Sequence, residues 1–173
     1  MESTIIRGIA TKDGFDCFEA VAPLETVAEI LRAAHAPLRI FQYGDGKTVF
    51  LCGSDKGARV ADALAARGIE ARKTSGFATV TAVGDGLSAC PELLPKFLGA
   101  LREAEVEPRL VSLNSLSVAA VIPSSRREQA AKVLHARLVE AGEGADAAER
   151  EGLETKRGTP VAESPPNRIG SEA

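Results

Sequence analysis

Residues 38–54 read LRIFQYGDGKTVFLCGS. Two β-rich runs, Leu38–Tyr43 and Lys47–Cys52, flank Gly44-Asp45-Gly46, which is hairpin-turn chemistry. Ser54 stands where a helix N-cap belongs. On the N-terminal side, Pro23 opens a helix whose apolar face is Val27, Ile30, Leu31 and Ala34, and Pro37 ends it. On the C-terminal side, a second helix presents Val60, Ala61 and Leu64 and closes at Gly68. Strand-like runs Phe15–Val21 and Ile69–Thr74 lie beyond these helices. The order is β-α-β-β-α-β. Lys12-Asp13-Gly14 reads as a turn that sets one further strand, Thr4–Ala10, apart from it.

The same order then begins again. Phe77–Val83 is a strand ending in Gly84-Asp85-Gly86. A helix follows from about Pro91 to Glu105, with Leu94, Phe97, Leu98 and Leu101 on one face. Arg109–Leu113 and Leu116–Ile122 form a hairpin around Asn114-Ser115, and Ser124 caps a last helix. The two copies align without gaps at an offset of 70 residues: Leu31-Arg32 on Leu101-Arg102, Arg39 on Arg109, Ser54 on Ser124, Ala66-Arg67 on Ala136-Arg137. One register held through two helices and a hairpin is the mark of an internal repeat.

The second copy lacks a closing strand. From Gly142 the chain is charged, rich in Gly and Pro, and poor in large apolar residues, so residues 142–173 are expected to be disordered. Thr4–Ala10 is the strand left over, and the economical solution places it in the second copy. The expected fold is therefore α+β: two ferredoxin-like βαββαβ units, the first (14–74) inserted into the second (3–12 plus 76–141).

Composition narrows the function. The chain has 173 residues, 45% hydrophobic, 26% charged and 4% aromatic, with net charge −3 and no Trp. An acidic chain without a basic stripe or strand aromatics argues against a nucleic-acid partner. No apolar run reaches membrane-span length and MESTIIRG is not a signal peptide, so no membrane association and a cytoplasmic location are expected. Cys17, Cys52 and Cys90 form no CxxC pair and read as small buried thiols, with no metal and no cofactor implied. His35 and His135 have no neighbouring pattern that would orient a base. Gly46-Lys47-Thr48 opens a strand, where a Walker loop would open a helix. Gly84-Asp85-Gly86 does join a strand to a helix, whose first N–H groups are suited to a carboxylate. No catalytic constellation emerges.

Ile5-Ile6-Arg7-Gly8-Ile9-Ala10 resembles the strand that opens the regulatory region of bacterial aspartokinases. Val80–Leu87, VTAVGDGL, is similar to that family's strand and loop V-x-x-V-G-x-G-M, and Pro91 falls on its helix-opening proline. Phe97, Ala100-Leu101 and Ala104 match F-x-x-A-L-x-x-A, and Leu134-His135 matches A-L-H. The resemblance covers residues 4–140. It implies a pair of ACT domains that dimerise, sense Lys or Thr at the dimer interface, and regulate a kinase catalytic chain in aspartate-family amino-acid biosynthesis, with no catalysis of their own. On this reading Gly84, Asp85, Gly86, Ser88 and Glu92 line the effector loop. Asp85 or Glu92 takes the ammonium group, and Gln42 and Asn114 lie nearest the dimer edge. The family's glycine after the opening proline is here Leu24 and Glu92, and its acidic residue in the first hairpin is Arg39. These differences frame the alternative, an ACT pair without a ligand that serves oligomerisation only.

Overall fold

The computed structural model describes residues 5–140. The expected disordered tail, 142–173, lies outside them, as do the first residues of the second unit. The order is β1 (Ile5–Ala20), α1 (Leu24–Ala33), β2 (Phe41–Gly44), β3 (Lys47–Gly53), α2 (Ser54–Ala66), β4 (Ala71–Asp85), α3 (Leu93–Glu103), β5 (Leu110–Leu113), β6 (Ser117–Pro123) and α4 (Arg127–His135). A π-helical turn, Ala136–Glu140, extends α4. All strands lie in one antiparallel sheet ordered β2-β3-β1-β4-β6-β5.

The runs expected as separate strands, Thr4–Ala10 and Phe15–Val21, fall in one continuous β1 from Ile5 to Ala20, and the run expected at Ile69–Thr74 joins Phe77–Val83 in β4, which begins at Ala71. The breaks anticipated between them are β-bulges. Lys12 opposes Thr79 and Phe15 opposes Phe77, so β1 carries one extra residue there. Asp16 then opposes Ser75, so β4 carries the next. Gly14 (φ 82°) and Gly76 (φ 86°) supply the left-handed conformation such bulges need. β1 and β4 each serve both ends of the sheet. The C-terminal part of β1 pairs β3 on one side and residues 71–75 on the other, while β4 from Phe77 pairs β6 and, on its other side, the N-terminal part of β1.

Period-two alternation sorts the strand residues into cores. Phe18, Phe50 and Cys52 turn toward α1 and α2, where Val27, Ile30, Leu31, Val60 and Leu64 cover them. Phe18 and Phe50 stack at 5.2 Å. Val80, Ala82, Val118, Ala120 and Ile122 do the same beneath Phe97, Leu101 and Leu134 of α3 and α4. Intervening residues build a third cluster without any helix: Phe15, Cys17, Leu51, Leu110 and Val121. The sheet is therefore bent. β5 stands three strands from β1, about 14 Å in a flat sheet, yet Arg109, just before β5, forms an ion pair with Glu19 on β1. The bulges let the helix-free face curl around this third core.

Neither expected serine cap forms. Ser54 begins α2 after Gly53, and its hydroxyl donates to Asp16 Oδ1 (2.7 Å). Ser124 begins a 3-10 turn before α4, and its hydroxyl donates to Asp13 Oδ1 (2.5 Å). Each hydroxyl pins a helix start to β1 instead of satisfying its own helix. α1 and α3 end on left-handed residues that are not glycine, His35 (φ 50°) and Glu105 (φ 55°). In both cases the next N–H closes the helix, Ala36 onto Leu31 O and Val106 onto Leu101 O, each at 2.9 Å.

Candidate functional site

The glycine loop leaves β4 at Asp85. Gly86 is left-handed (φ 68°), and a 3-10 turn, Leu87–Ala89, precedes α3. Leu87 is fully buried and anchors the loop in the core beneath α3. The β5–β6 turn packs directly on the loop: Gly84 N–H donates to Leu116 O and Leu87 N–H to Ser115 O, both at 3.0 Å. Gly84, Asp85, Gly86, Ser88, Glu92 and the Asn114 turn thus form one region. Gln42 does not join it. It lies on β2, at the opposite edge of the sheet.

Within that region Asp85, Glu92 and Asn114 already have partners. Asp85 forms an ion pair with Arg7 of β1. Glu92 pairs with Lys96 one helical turn on at 2.9 Å, and this contact holds its carboxyl below the usual range. Asn114 accepts hydrogen bonds from the Leu116 and Ser117 N–H groups, both at 2.9 Å, and donates to Ser117 Oγ, so it organises its own turn. The start of α3 offers few donors: Leu93 N–H is taken by Cys90 O at 3.2 Å, and Pro95 has no N–H. Ser88 is exposed, with its neighbours Gly86 and Ala89.

Both sheet edges are short and apolar. β2 exposes Phe41 (46%) and Tyr43 (50%), and β5 exposes Val111 (40%) and Leu113 (38%). These pairs hold the same place in the two copies of the repeat. Unpaired edges with apolar side chains are association surfaces.

Nucleophilic chemistry finds no support among the described residues. Burial pushes the Cys52 thiol up to about 11, and burial raises Cys17 despite nearby Arg109. Exposed His135 meets Glu140 at 3.3 Å, and His35 is the helix-end residue already described. Among the described residues no three His, Cys, Asp or Glu side chains gather as a metal site. No helix among them is long and apolar enough to cross a membrane.

Of a second feature, sequence reasoning named as a site residue only Asn114, which lies on its wall. On the helix-free face, Lys12, Arg39, Thr79, Thr81, Ser112 and Ser117 line an open groove of about 410 Å³. The repeat had matched Arg39 with Arg109, but only as a sign of duplication.

No family model matches the sequence, and no curated protein matches it. Solved structures do. The ligand-free regulatory subunit of aspartate kinase from Thermus thermophilus superposes with a TM-score of 0.70 at 20% identity, over 76% of this chain and 97% of that one. A structure of aspartokinase alpha and beta subunits gives 0.70 at 17% identity, over 76% and 97%. Escherichia coli aspartokinase III in complex with lysine and aspartate gives 0.61 at 16% identity, over 80% of this chain and 34% of that one. The chain thus has the fold of aspartate kinase regulatory subunits, at a sequence distance where the likeness is one of fold.

Proposed function

We propose that the chain is a regulatory module of aspartate-kinase type, not catalytic by itself, that senses an amino acid of the lysine or threonine class and passes the signal to a kinase catalytic chain in amino-acid biosynthesis. Its architecture is then a pair of ferredoxin-like ACT units, the first (14–74) inserted into the second (3–12 plus 76–141). The strand segments support this division: β2-β3-β1 with residues 71–75 at one end, and residues 5–12 with β4-β6-β5 at the other. The observation that carries the function is the superposition over 97% of the Thermus thermophilus regulatory subunit.

The effector site on this reading is the Gly84–Glu92 loop with Asn114, completed by Gln42 from a second copy. Gln42 lies on the edge strand β2 and the loop leaves the interior strand β4, three strands away, so one chain does not bring them together. A homodimer joined through Phe41 and Tyr43 on one side and Val111 and Leu113 on the other would do so. The test is thermal stability of the full chain against millimolar lysine and threonine. A ligand at a hundred times its dissociation constant adds about 2.7 kcal/mol, and Asp85→Ala should remove that gain.

A second reading is favoured by the pairing of Asp85, Glu92 and Asn114 within the chain: an ACT pair that only oligomerises. It predicts no stabilisation by either amino acid and a dimer that Tyr43→Lys with Leu113→Lys dissociates in analytical ultracentrifugation.

A further inference from the structure

The two ends of the sheet carry the same arginine against different partners. At one end Glu19 opposes Val49 on β3 and Arg72 on β4. Arg109 and Arg72 both pair with its carboxylate, Arg72 at 2.7 Å. At the other end the residue in the place of Glu19 is Thr81, which opposes Ala119 on β6 and Ala10 on β1. The residue in the place of Arg109 is Arg39. Each arginine precedes an edge strand and is held by its backbone N–H, Arg109 to Val121 O at 2.7 Å and Arg39 to Leu51 O at 3.4 Å. One end has an internal carboxylate between two guanidinium groups. The other has a groove where Arg39 and Thr81 are both on the wall.

The groove's other walls suit the same chemistry. Lys12 adds a second cation, standing over the Phe15 ring at 5.9 Å. Thr79, Ser112 and Ser117 add hydroxyl donors, and Phe15 and Ile40 add apolar surface. No carboxylate of the described residues lines it.

We propose that this groove binds a small dicarboxylate, with one carboxylate on Arg39 and Thr81 in the place Glu19 takes at the other end, and the second on Lys12. The guanidinium offers a planar fork that matches a carboxylate, and the ammonium a point charge for the other terminus. The site lies on the helix-free face and does not depend on the regulatory reading, because binding is read directly.

The experiment is a titration of the full chain with succinate at low ionic strength, followed by amide NMR. Saturable shifts are expected at Lys12, Thr79, Thr81, Ser112 and Ala119, with none for neutral succinamide. Arg39→Gln should weaken binding about tenfold to a hundredfold, the worth of one charge-assisted contact. Thr81→Glu should weaken it similarly by giving Arg39 an internal partner. Arg39 is exposed, so its variant decides the matter even if Thr81→Glu fails to fold. Absence of saturation, equal affinity in Arg39→Gln, or inorganic phosphate binding as tightly with the same Arg39 dependence would each overturn the proposal.

Discussion

At the β3 end of the sheet Arg109 closes onto Glu19, and at the β6 end Arg39 borders a groove beside Thr81. A second contrast lies on the helical face. Gly57 of α2 faces the buried carboxylate of Asp16, whereas Arg127, its counterpart in the repeat, pairs with exposed Asp13 at 2.9 Å. The backbone is the same twice over, and single residues decide what each copy does with its charges. The Asp16 and Glu19 carboxylates are both satisfied by contacts inside the chain. Asp13 meets its partners at an exposed site, and Arg39 lies exposed on the groove wall.

The strongest test of this contrast is Gly57→Ala. A Cβ at Gly57 would lie 2.0 Å from Asp16 Oδ2. Asp16 is 2% exposed and held by the Ser54 hydroxyl and by Lys73 Nζ at 3.5 Å, so it has little room to yield. Overpacking of this kind costs about 1–3 kcal/mol, offset in part by the roughly 1 kcal/mol by which a helix prefers Ala. Because Asp16 has little room to yield, the upper part of that range applies, and a net loss of about 1–2 kcal/mol is expected in urea denaturation, with part recovered in Asp16→Ser/Gly57→Ala. A neutral result would mean that the carboxylate is mobile and that this copy is no tighter than the other.

Arg109→Ala and Arg39→Ala compare the two arginines directly. Glu19 is 30% exposed and Arg109 42%, so solvent screening reduces their ion pair to about 1 kcal/mol. Arg39→Ala should stay within about 0.5 kcal/mol of the parent. Equal losses would erase the distinction between a structural and a surface arginine.

The helix ends were only partly legible. Pro37 and the end of apolar periodicity marked where α1 stops, but nothing about His35 or Glu105 advertises a left-handed backbone, because most residues that adopt it are glycine. Glu105→Gly should relieve this and raise stability by about 0.5–1 kcal/mol, after the entropy cost of glycine is included. The same limit explains the strands. Lys12-Asp13-Gly14 reads as a turn, but a turn and a bulge both use a glycine at positive φ, and only pairing across to β4 decides between them. The serines were misread for a similar reason. A hydroxyl before a helix is ordinarily a cap, and its long-range partner, Asp16 or Asp13, lies far away in sequence. Alternation, turn chemistry and repeat register made most of the elements readable. The groove was not, because it depends on how far the sheet bends.

The smallest effect concerns the exposed copy of the serine–aspartate contact. The Ser124 hydroxyl, the Gly14 N–H and the Arg127 guanidinium hold the Asp13 carboxyl below its ordinary value of 3.8. A carboxyl whose folded pKa is depressed binds its proton less readily in the folded chain than in the unfolded one. Its contribution is therefore fully present above the unfolded pKa and is lost as pH falls through the folded value. The stability gap between the parent and Asp13→Asn should be constant near neutrality and should shrink below about pH 4. Because the contact is exposed, raising ionic strength should narrow the same gap. Asp16 makes the opposite case: buried against Gly57 and Ser54, its contact should be far less sensitive to salt. A salt-independent gap at Asp13 would place both carboxylates in the same environment and remove the contrast on the helical face.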